Sequence, residues 1–222
     1  MKPKFPLMKF KVIIPAIFII ILYSCSPCKV ATVVAEKLPL TATGFVFEND
    51  TVRITYHFWA YKGQMQFDIY NKTDMPIYFD WKTSAYIPND KMVSYWQDVT
   101  NTEGVFYTSR LYGGSGVGAG KSKSTHQERI GVVPPHSMIT NNQFNLVKKY
   151  SEVEQSGTYE KNNTPLRFRN YLTLCTNEKF EGKVTSVDNS FFVASIKKVS
   201  SSKVDKYKAP NTFYTTQSYS EH

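Results

Sequence analysis

The sequence predicts an all-β protein of one domain, an antiparallel immunoglobulin-like β-sandwich. Three observations indicate this fold class. Many short segments alternate apolar and polar side chains, as strands do when one face is buried. Turn residues separate these segments at intervals of roughly 8–12 residues, which is the spacing of sandwich strands. Phe, Trp and Tyr make up 15% of the 222 residues, and aromatic side chains suit the pleated faces of packed sheets.

The clearest predicted element is a β-hairpin. Residues 51–61, TVRITYHFWAY, place Val52 and alternate apolar side chains on one face and polar side chains on the other. Residues 64–71, QMQFDIYN, alternate in the same way, and Lys62-Gly63 lies between the two segments. Two alternating segments joined by a glycine turn predict an antiparallel pair.

The rest of the domain continues as short strands separated by turns. NKTDMP (71–76) has turn composition, and TSAYIPND (83–90) ends in a second turn. Further strand candidates are IYFDW (77–81), KMVSYWQ (91–97), GVFYTSRLY (104–112), RIGVVPP (129–135), PLRFRNYLTLCT (165–176) and NSFFVASIKKV (189–199). Only residues 141–156 have apolar side chains at helical spacing, so this segment is the one helix candidate.

A glycine-rich segment, YGGSGVGAGKSKST at residues 112–125, resembles a phosphate-binding loop because it contains Gly120-Lys121-Ser122. That motif requires a glycine five residues before the second glycine, and Ser115 occupies the position. It also requires an amphipathic helix after the lysine, whereas SKSTHQER follows here. We therefore predict no nucleotide binding and a flexible Gly/Ser loop at residues 113–126.

The N-terminus carries a secretory signal. Lysines precede an apolar segment, Val12–Leu22, which is too short to span a bilayer comfortably, and small residues follow. Leu22-Tyr23-Ser24-Cys25 resembles the looser form of the lipobox of bacterial lipoproteins, in which the cysteine becomes the first residue and is acylated. This resemblance implies lipidation of Cys25 and a membrane anchor.

Removal of the signal changes the charge balance. The four lysines in residues 1–24 are lost, so the formal net charge falls from +9 to about +5 (9 minus 4). The basic pI is then weak evidence for nucleic-acid binding, and we predict no nucleic-acid partner. The predicted organisation is a signal peptide (1–24), a tether (25–42), a β-sandwich (43–199) and a polar C-terminal tail (200–222).

A family resemblance supports this organisation. FDIYNKTDMPIYFDWKTSAYIPND, IGVVPPHS and NNTPLRFRNYLTL followed by FFVASI resemble uncharacterised lipoproteins of Bacteroidota-type bacteria, over residues 44–199. The resemblance implies fold and compartment but no established activity. It places the chain in the cell envelope, at the outer membrane. After Cys25 the sequence SPCK lacks the acidic residues associated with surface export, which favours the periplasmic face.

Cysteine and histidine content predicts no metal site and no cofactor. Cys28 and Cys175 are the only cysteines after Cys25, and a disulfide between them stays open alongside separately buried thiols. The four histidines are scattered, without metal-ligand spacing.

Three tryptophans are the candidate contacts for a glycan or a protein partner. Trp59, Trp81 and Trp96 lie on or beside three predicted strands. Exposed aromatic rings stack on sugars or anchor partners, and the alternative is that all three fill the core. Trp59 shares a predicted strand face with Arg53 and His57, so it is the strongest candidate for exposure.

The sequence contains no catalytic arrangement, and we predict that the protein is not an enzyme. Asp68 and Asp80 lie on neighbouring predicted strands and would suit a glycosidase only if they faced each other. Arg167 and Arg169 share a strand face, where they either hold an anion or pair with carboxylates. The predicted function is a structural or protein-interaction module, with glycan binding as the alternative and an envelope hydrolase third.

Overall fold

The chain folds as an antiparallel β-sandwich, as predicted. The computed structural model describes residues 27–96, 101–107, 119–125, 128–153, 155–181 and 184–216. The strands are β1 (Pro27–Ala35), β2 (Phe45–Glu48), β3 (Val52–His57), β4 (Gln66–Asn71), β5 (Ile77–Asp80), β6 (Ala85–Pro88), β7 (Val93–Ser94), β8 (Asn101–Tyr107), β9 (Ala119–Thr125), β10 (Ile130–Val133), β11 (Met138–Asn141), β12 (Gly157–Thr158), β13 (Arg167–Cys175), β14 (Thr185–Ser200) and β15 (Thr212–Thr216). Two 3-10 helices lie at Tyr150–Val153 and Ser201–Tyr207.

Two sheets form the sandwich. The large sheet has the order β10-β5-β13-β14-β1-β15, with β6, β7 and β12 attached to its sides. The small sheet has the order β11-β4-β3-β2, and β8 and β9 form a separate antiparallel pair. Aromatic side chains of both sheets meet between them: the ring of Tyr56 in β3 lies 5.0 Å from that of Phe191 in β14. The sandwich is confirmed, while its immunoglobulin-like connectivity stays a prediction.

The predicted hairpin is confirmed, with a longer connection than two residues. β3 and β4 pair antiparallel from Val52↔Asn71 to His57↔Gln66. Within the connection, Lys62 and Gly63 both have positive φ, 62° and 64°, which is the left-handed conformation of a tight turn. A Cβ atom at position 63 would also lie 2.8 Å from the ring of Phe213, so glycine is required there for space as well.

The predicted tether at residues 25–42 is wrong for residues 27–35, which form β1. This strand lies inside the large sheet, where Cys28 pairs with Val199 on one side and Thr216 on the other. Its sequence, PCKVATVVA, does not alternate. Side chains on both of its faces are buried, for example Val30 and Val33 at 3% and 0% exposure. A strand covered on both faces lacks the period-2 pattern, which is why the sequence suggested a linker.

The predicted polar tail at residues 200–222 is also partly ordered. The 3-10 helix Ser201–Tyr207 follows β14 directly, and β15 then adds to the edge of the large sheet beside β1. Phe213 is fully buried in the core. Its neighbours in β15 are threonines and a tyrosine, so a single core side chain was too weak a signal in the sequence. Residues 217–222 lie outside the described residues.

The Gly/Ser loop and the helix candidate are two further corrections. Within the predicted loop at 113–126, residues 119–125 form β9 and pair with β8. Residues 113–118 and 126 lie outside the described part of the chain. In the helix candidate, the only helical element among the described residues is the 3-10 turn Tyr150–Val153. Their apolar side chains, including the fully buried Val147, pack into the core from an irregular loop instead.

Candidate functional site

Trp81 is a core residue and not a contact surface, which corrects the prediction that grouped it with exposed aromatics. Its side chain is 8% exposed and stacks on Phe79 with ring centroids 5.7 Å apart. Gly131 lies against the indole: a Cβ atom there would be 2.3 Å from Nε1. The backbone of β10 therefore covers this tryptophan, and no partner can reach its face.

Trp96 is half-buried and packs against the core just after β7. The ammonium of Lys82 lies 5.3 Å from the centroid of its ring, within the range of a cation–π contact. A sugar or a partner side chain would have to displace Lys82 before it could stack on that face of the Trp96 ring.

Trp59 is the tryptophan that belongs to an accessible surface. It follows β3 and is half-buried, with its ring 5.2 Å from the ring of Tyr214 in β15. Tyr61, 41% exposed, packs on Tyr214 from 6.0 Å and forms an isolated bridge with it. We call Trp59, Tyr61 and Tyr214 the aromatic cluster. Sequence reasoning missed Tyr214 because it lay in the predicted tail.

The outer face of the small sheet forms an open groove. Its cavity volume is about 450 Å³, and its lining includes His57, Asp68, Tyr70 and Met138. Asp68 Oδ2 lies 3.4 Å from His57 Nε2, and Thr140 Oγ1 donates to Asp68 Oδ1 at 2.6 Å. In a Ser/His/Asp-type site the hydroxyl must bond to the imidazole, which removes its proton. Here the carboxylate lies between the two, so this trio does not activate a nucleophile.

A second groove lies across β13 and β14 and is lined by balanced charges. Its volume is about 360 Å³. Arg169 Nε donates to Asp188 Oδ1 at 3.0 Å, and Lys161 Nζ lies 2.8 Å from Glu36 Oε2. Arg167 pairs with Asp90. Each cation therefore already has a carboxylate, which supports carboxylate pairing for Arg167 and Arg169 over capture of an anion.

The two aspartates proposed as paired acids lie apart. Asp68 is in β4 of the small sheet, whereas Asp80 ends β5 of the large sheet. Asp80 is 3% exposed and accepts two hydrogen bonds from Arg129, at 3.0 Å and 2.6 Å. Burial has the largest single effect and would raise the pKa of this carboxyl. The hydrogen bonds and charge of Arg129, together with hydrogen bonds from the backbone of Lys82 and Thr83, outweigh it and hold the pKa below its ordinary value. Asp80 therefore stabilises the fold and is not a general acid.

We expect Asp80→Asn to lower the free energy of unfolding by about 2 kcal/mol at pH 7, because it leaves Arg129 without its carboxylate. Since the folded-state pKa of Asp80 is depressed, its stabilisation is present above the unfolded pKa and disappears as pH falls through the folded pKa. The difference in the free energy of unfolding between Asp80→Asn and the wild type should therefore become smaller below about pH 4. Urea unfolding at a series of pH values measures it. Asp90→Asn removes an exposed ion pair and is the control, which should lower the free energy of unfolding by less than about 1 kcal/mol. If the Asp80→Asn variant stays equally destabilised relative to the wild type at low pH, the stabilising role of the ionised Asp80 is contradicted.

Two edge strands meet at one side of the sandwich and carry exposed apolar side chains. β10 ends the large sheet and β11 ends the small sheet, with only residues 134–137 between them. Val132 in β10 is 49% exposed and Met138 in β11 is 58% exposed. Met75, 63% exposed, is tied to the same place because its carbonyl and that of Val133 accept hydrogen bonds from the Asn71 side chain. We call Met75, Val132 and Met138 the edge strip.

Cys28 and Cys175 are buried in the large sheet and form no disulfide with each other. Burial raises the pKa of the Cys28 thiol. Among the described residues, no group of three or more His, Cys, Asp or Glu side chains is placed to hold a metal ion. Cys25 lies outside the described residues, and no helix within them is long and apolar enough to cross a membrane.

Comparison with protein-family models, with curated proteins and with solved structures found no match for this chain.

Proposed function

We propose that this chain is an acylated envelope lipoprotein that acts as a structural or protein-interaction module. One observation carries the interaction role: the edge strip joins exposed apolar side chains to two neighbouring sheet edges. Edge strands offer unpaired N–H and C=O groups to an added strand, and nearby apolar side chains supply binding energy. The groove across β13 and β14 offers no comparable combination because its charges are paired, and the groove on the small sheet shares Met138 with the edge strip but includes no edge of the large sheet.

The anchor part of the proposal rests on the sequence. A basic segment, a short apolar segment and the lipobox-like Leu22-Tyr23-Ser24-Cys25 support acylation of Cys25 at the outer membrane, on its periplasmic face. Acyl chains bury many methylene groups in the bilayer, which makes the attachment stable.

In cells supplied with labelled palmitate, wild-type protein should become labelled, and Cys25→Ala should stay at background because the acyl-bearing thiol is missing. Cys28→Ala is the matched control, since it removes the nearest other thiol. Its label should equal that of the wild type. Equal labelling of wild type and Cys25→Ala would rule out the anchor.

A photo-crosslinking residue placed at Val132 or Met138 should give one discrete adduct with an envelope protein in living cells. The same residue at Met92 or Val184, which are 64% and 47% exposed elsewhere, is the control and should not give that adduct. In the Val132 experiment, adding Met138→Lys should reduce the adduct roughly tenfold, because a charge at the apolar centre of an interface is poorly tolerated. The same adduct from all four positions would count against the edge strip.

Glycan binding is the second candidate, and the aromatic cluster favours it. Tyr61 and Trp59 flank Tyr214 and leave part of their rings exposed, as sugar-stacking platforms require. The crosslinking experiment separates the two functions. A polysaccharide adduct at Tyr61, lost in Trp59→Ala and unaffected by Met138→Lys, would favour glycan binding over a protein partner.

A further inference from the structure

Nearly all of the excess positive charge of the mature chain lies in one short segment. Residues 197–208, KKVSSSKVDKYK, contain five lysines and one aspartate, a net charge of +4. The chain after residue 24 has a net charge of about +5, so the remaining residues are almost neutral. This segment spans the end of β14 and the 3-10 helix Ser201–Tyr207.

The five lysines are exposed, and none forms an ion pair with another residue of the segments that the structure describes. We call them the basic patch: Lys197, Lys198, Lys203, Lys206 and Lys208. In the second groove, by contrast, every cation has a carboxylate. The 3-10 helix is held in place by Val204, its one buried residue, and it contacts β1 and β14. The patch is therefore a fixed part of the domain surface and not a loose tail.

The basic patch lies at the end of the sheet from which the anchor would emerge. Pro27, the first residue of β1, pairs with Ser200, which immediately precedes the 3-10 helix. Only Ser26 separates Cys25 from Pro27, so the Cα atoms of Cys25 and Pro27 cannot lie more than about 7 Å apart. This is shorter than the Debye length of about 8 Å at physiological ionic strength. An acyl group on Cys25 would bring this end of the domain to the level of the lipid headgroups.

Aromatic side chains lie near the same surface. In register across three strands, Tyr214 pairs with Val30, and Val30 pairs with Lys197, so Lys197 of the basic patch and Tyr214 of the aromatic cluster lie on the same face of the large sheet, whereas Lys198 points to the other face. Tyr207, at the end of the 3-10 helix, is 40% exposed. Tyrosine and tryptophan beside lysine are the side chains that occupy membrane–water interfaces.

We propose that the basic patch docks the domain directly onto the anionic headgroups of the membrane that carries its lipid. This rests on the proposed acylation of Cys25, but the surface itself does not require the lipid. β10 lies toward the other end of β14, because Gly131 pairs with Phe79, Phe79 pairs with Leu174, and Leu174 pairs with Thr185, the first residue of that strand. Docking at the Ser200 end therefore leaves the edge strip clear of the bilayer. The lipid supplies attachment and the patch supplies orientation.

The test uses the mature chain, residues 25–222, carrying Cys25→Ser so that no acyl group contributes. It should sediment with vesicles of phosphatidylcholine containing roughly one third phosphatidylglycerol, and far less with phosphatidylcholine alone. Each lysine near such a surface contributes about fivefold in affinity, so Lys203→Gln, Lys206→Gln and Lys208→Gln together should weaken binding on the order of 100-fold. Raising the salt concentration should weaken wild-type binding in the same direction.

The matched control is Lys37→Gln, Lys91→Gln and Lys179→Gln, an equal loss of charge at exposed lysines outside the patch. Its binding should stay within about threefold of wild type, and circular dichroism should show both triple variants folded. Three results would overturn the proposal. The two triple variants could weaken vesicle binding equally, or the wild type could show no preference for anionic vesicles. Trp59→Ala could also abolish vesicle binding while the patch variant does not. Palmitate labelling tests the anchor separately. If the wild-type protein takes up no label but the mature chain still binds anionic vesicles, acylation is refuted and the docking surface is not.

Discussion

Asn71→Ala should lower the free energy of unfolding by about 4 kcal/mol, the largest effect expected from a single polar side chain in this fold. Asn71 is fully buried at the end of β4. Its Nδ2 donates to the carbonyl oxygens of Met75, Val133 and Pro134, at 2.8 Å, 3.0 Å and 3.1 Å. Its Oδ1 accepts from the backbone N–H and the hydroxyl of Thr73. One amide therefore closes the β4–β5 turn and fastens β10 to it.

The size of this loss of stability follows from the buried polar groups that lose their hydrogen-bond partner in the variant. Each buried polar group that loses its partner costs about 1–3 kcal/mol, and Asn71→Ala affects both a carbonyl in β10 and an N–H in the turn. Chemical denaturation with the linear extrapolation method measures the loss. Asn142→Ala, at an exposed position in the next loop, should stay within about 0.5 kcal/mol. A loss below about 1 kcal/mol for Asn71→Ala would mean that the turn and β10 are held by other contacts.

Asn170→Ala should lower the free energy of unfolding by about 3 kcal/mol, because it breaks a buried chain of hydrogen bonds between the sheets. Tyr95 Oη donates to Asn170 Oδ1 at 2.8 Å, and Asn170 Nδ2 donates to Tyr56 Oη at 3.1 Å. Asn189 Nδ2 donates to the same Tyr56 oxygen at 2.8 Å. Burial raises the pKa of Tyr56 to about 12, so the network keeps its protonation state throughout the neutral range.

The matched comparison is Asn189→Ala. It leaves Asn170 bound to Tyr56, so it should cost about 1–2 kcal/mol, clearly less than Asn170→Ala, which also removes the hydrogen bond that the fully buried Tyr95 donates to Asn170 Oδ1. Denaturation of the two single variants and the double variant gives the coupling between them. Equal costs for the two single variants would show that the Tyr95 hydroxyl finds another partner.

The turn that resembles a lipoprotein motif gains a structural explanation from these contacts. The sequence identified NKTDMP only as turn chemistry. In the structure, Asn71 binds across to residues 133 and 134, the same Val-Pro step that closes β10. Two of the motifs quoted for the resemblance are therefore joined by one side chain, which agrees with a structural and not a catalytic role for both.

How much of the candidate surfaces could be predicted differs from one to the next. Trp59, the strongest candidate for exposure, is half-buried as Trp96 is, and its partner Tyr214 lay in a predicted tail. The lysines of the basic patch are visible in the sequence as a charge cluster, yet their position beside Pro27 depends on the pairing of β1 with β14. The edge strip could not be predicted, because no local pattern reveals which strand ends a sheet.

The sequence by itself determined the all-β class, the β3–β4 hairpin and most of the strands that alternate. Alternation is a property of one strand with one covered face, so it can be recognised locally. Only the tertiary structure decided that β1 and β15 complete the large sheet, that Trp81 is covered by Gly131, and that Asp68 and Asp80 lie apart. These outcomes depend on which distant strand covers each face: Tyr56 and Asn189, bonded in the core, are 133 residues apart in the chain.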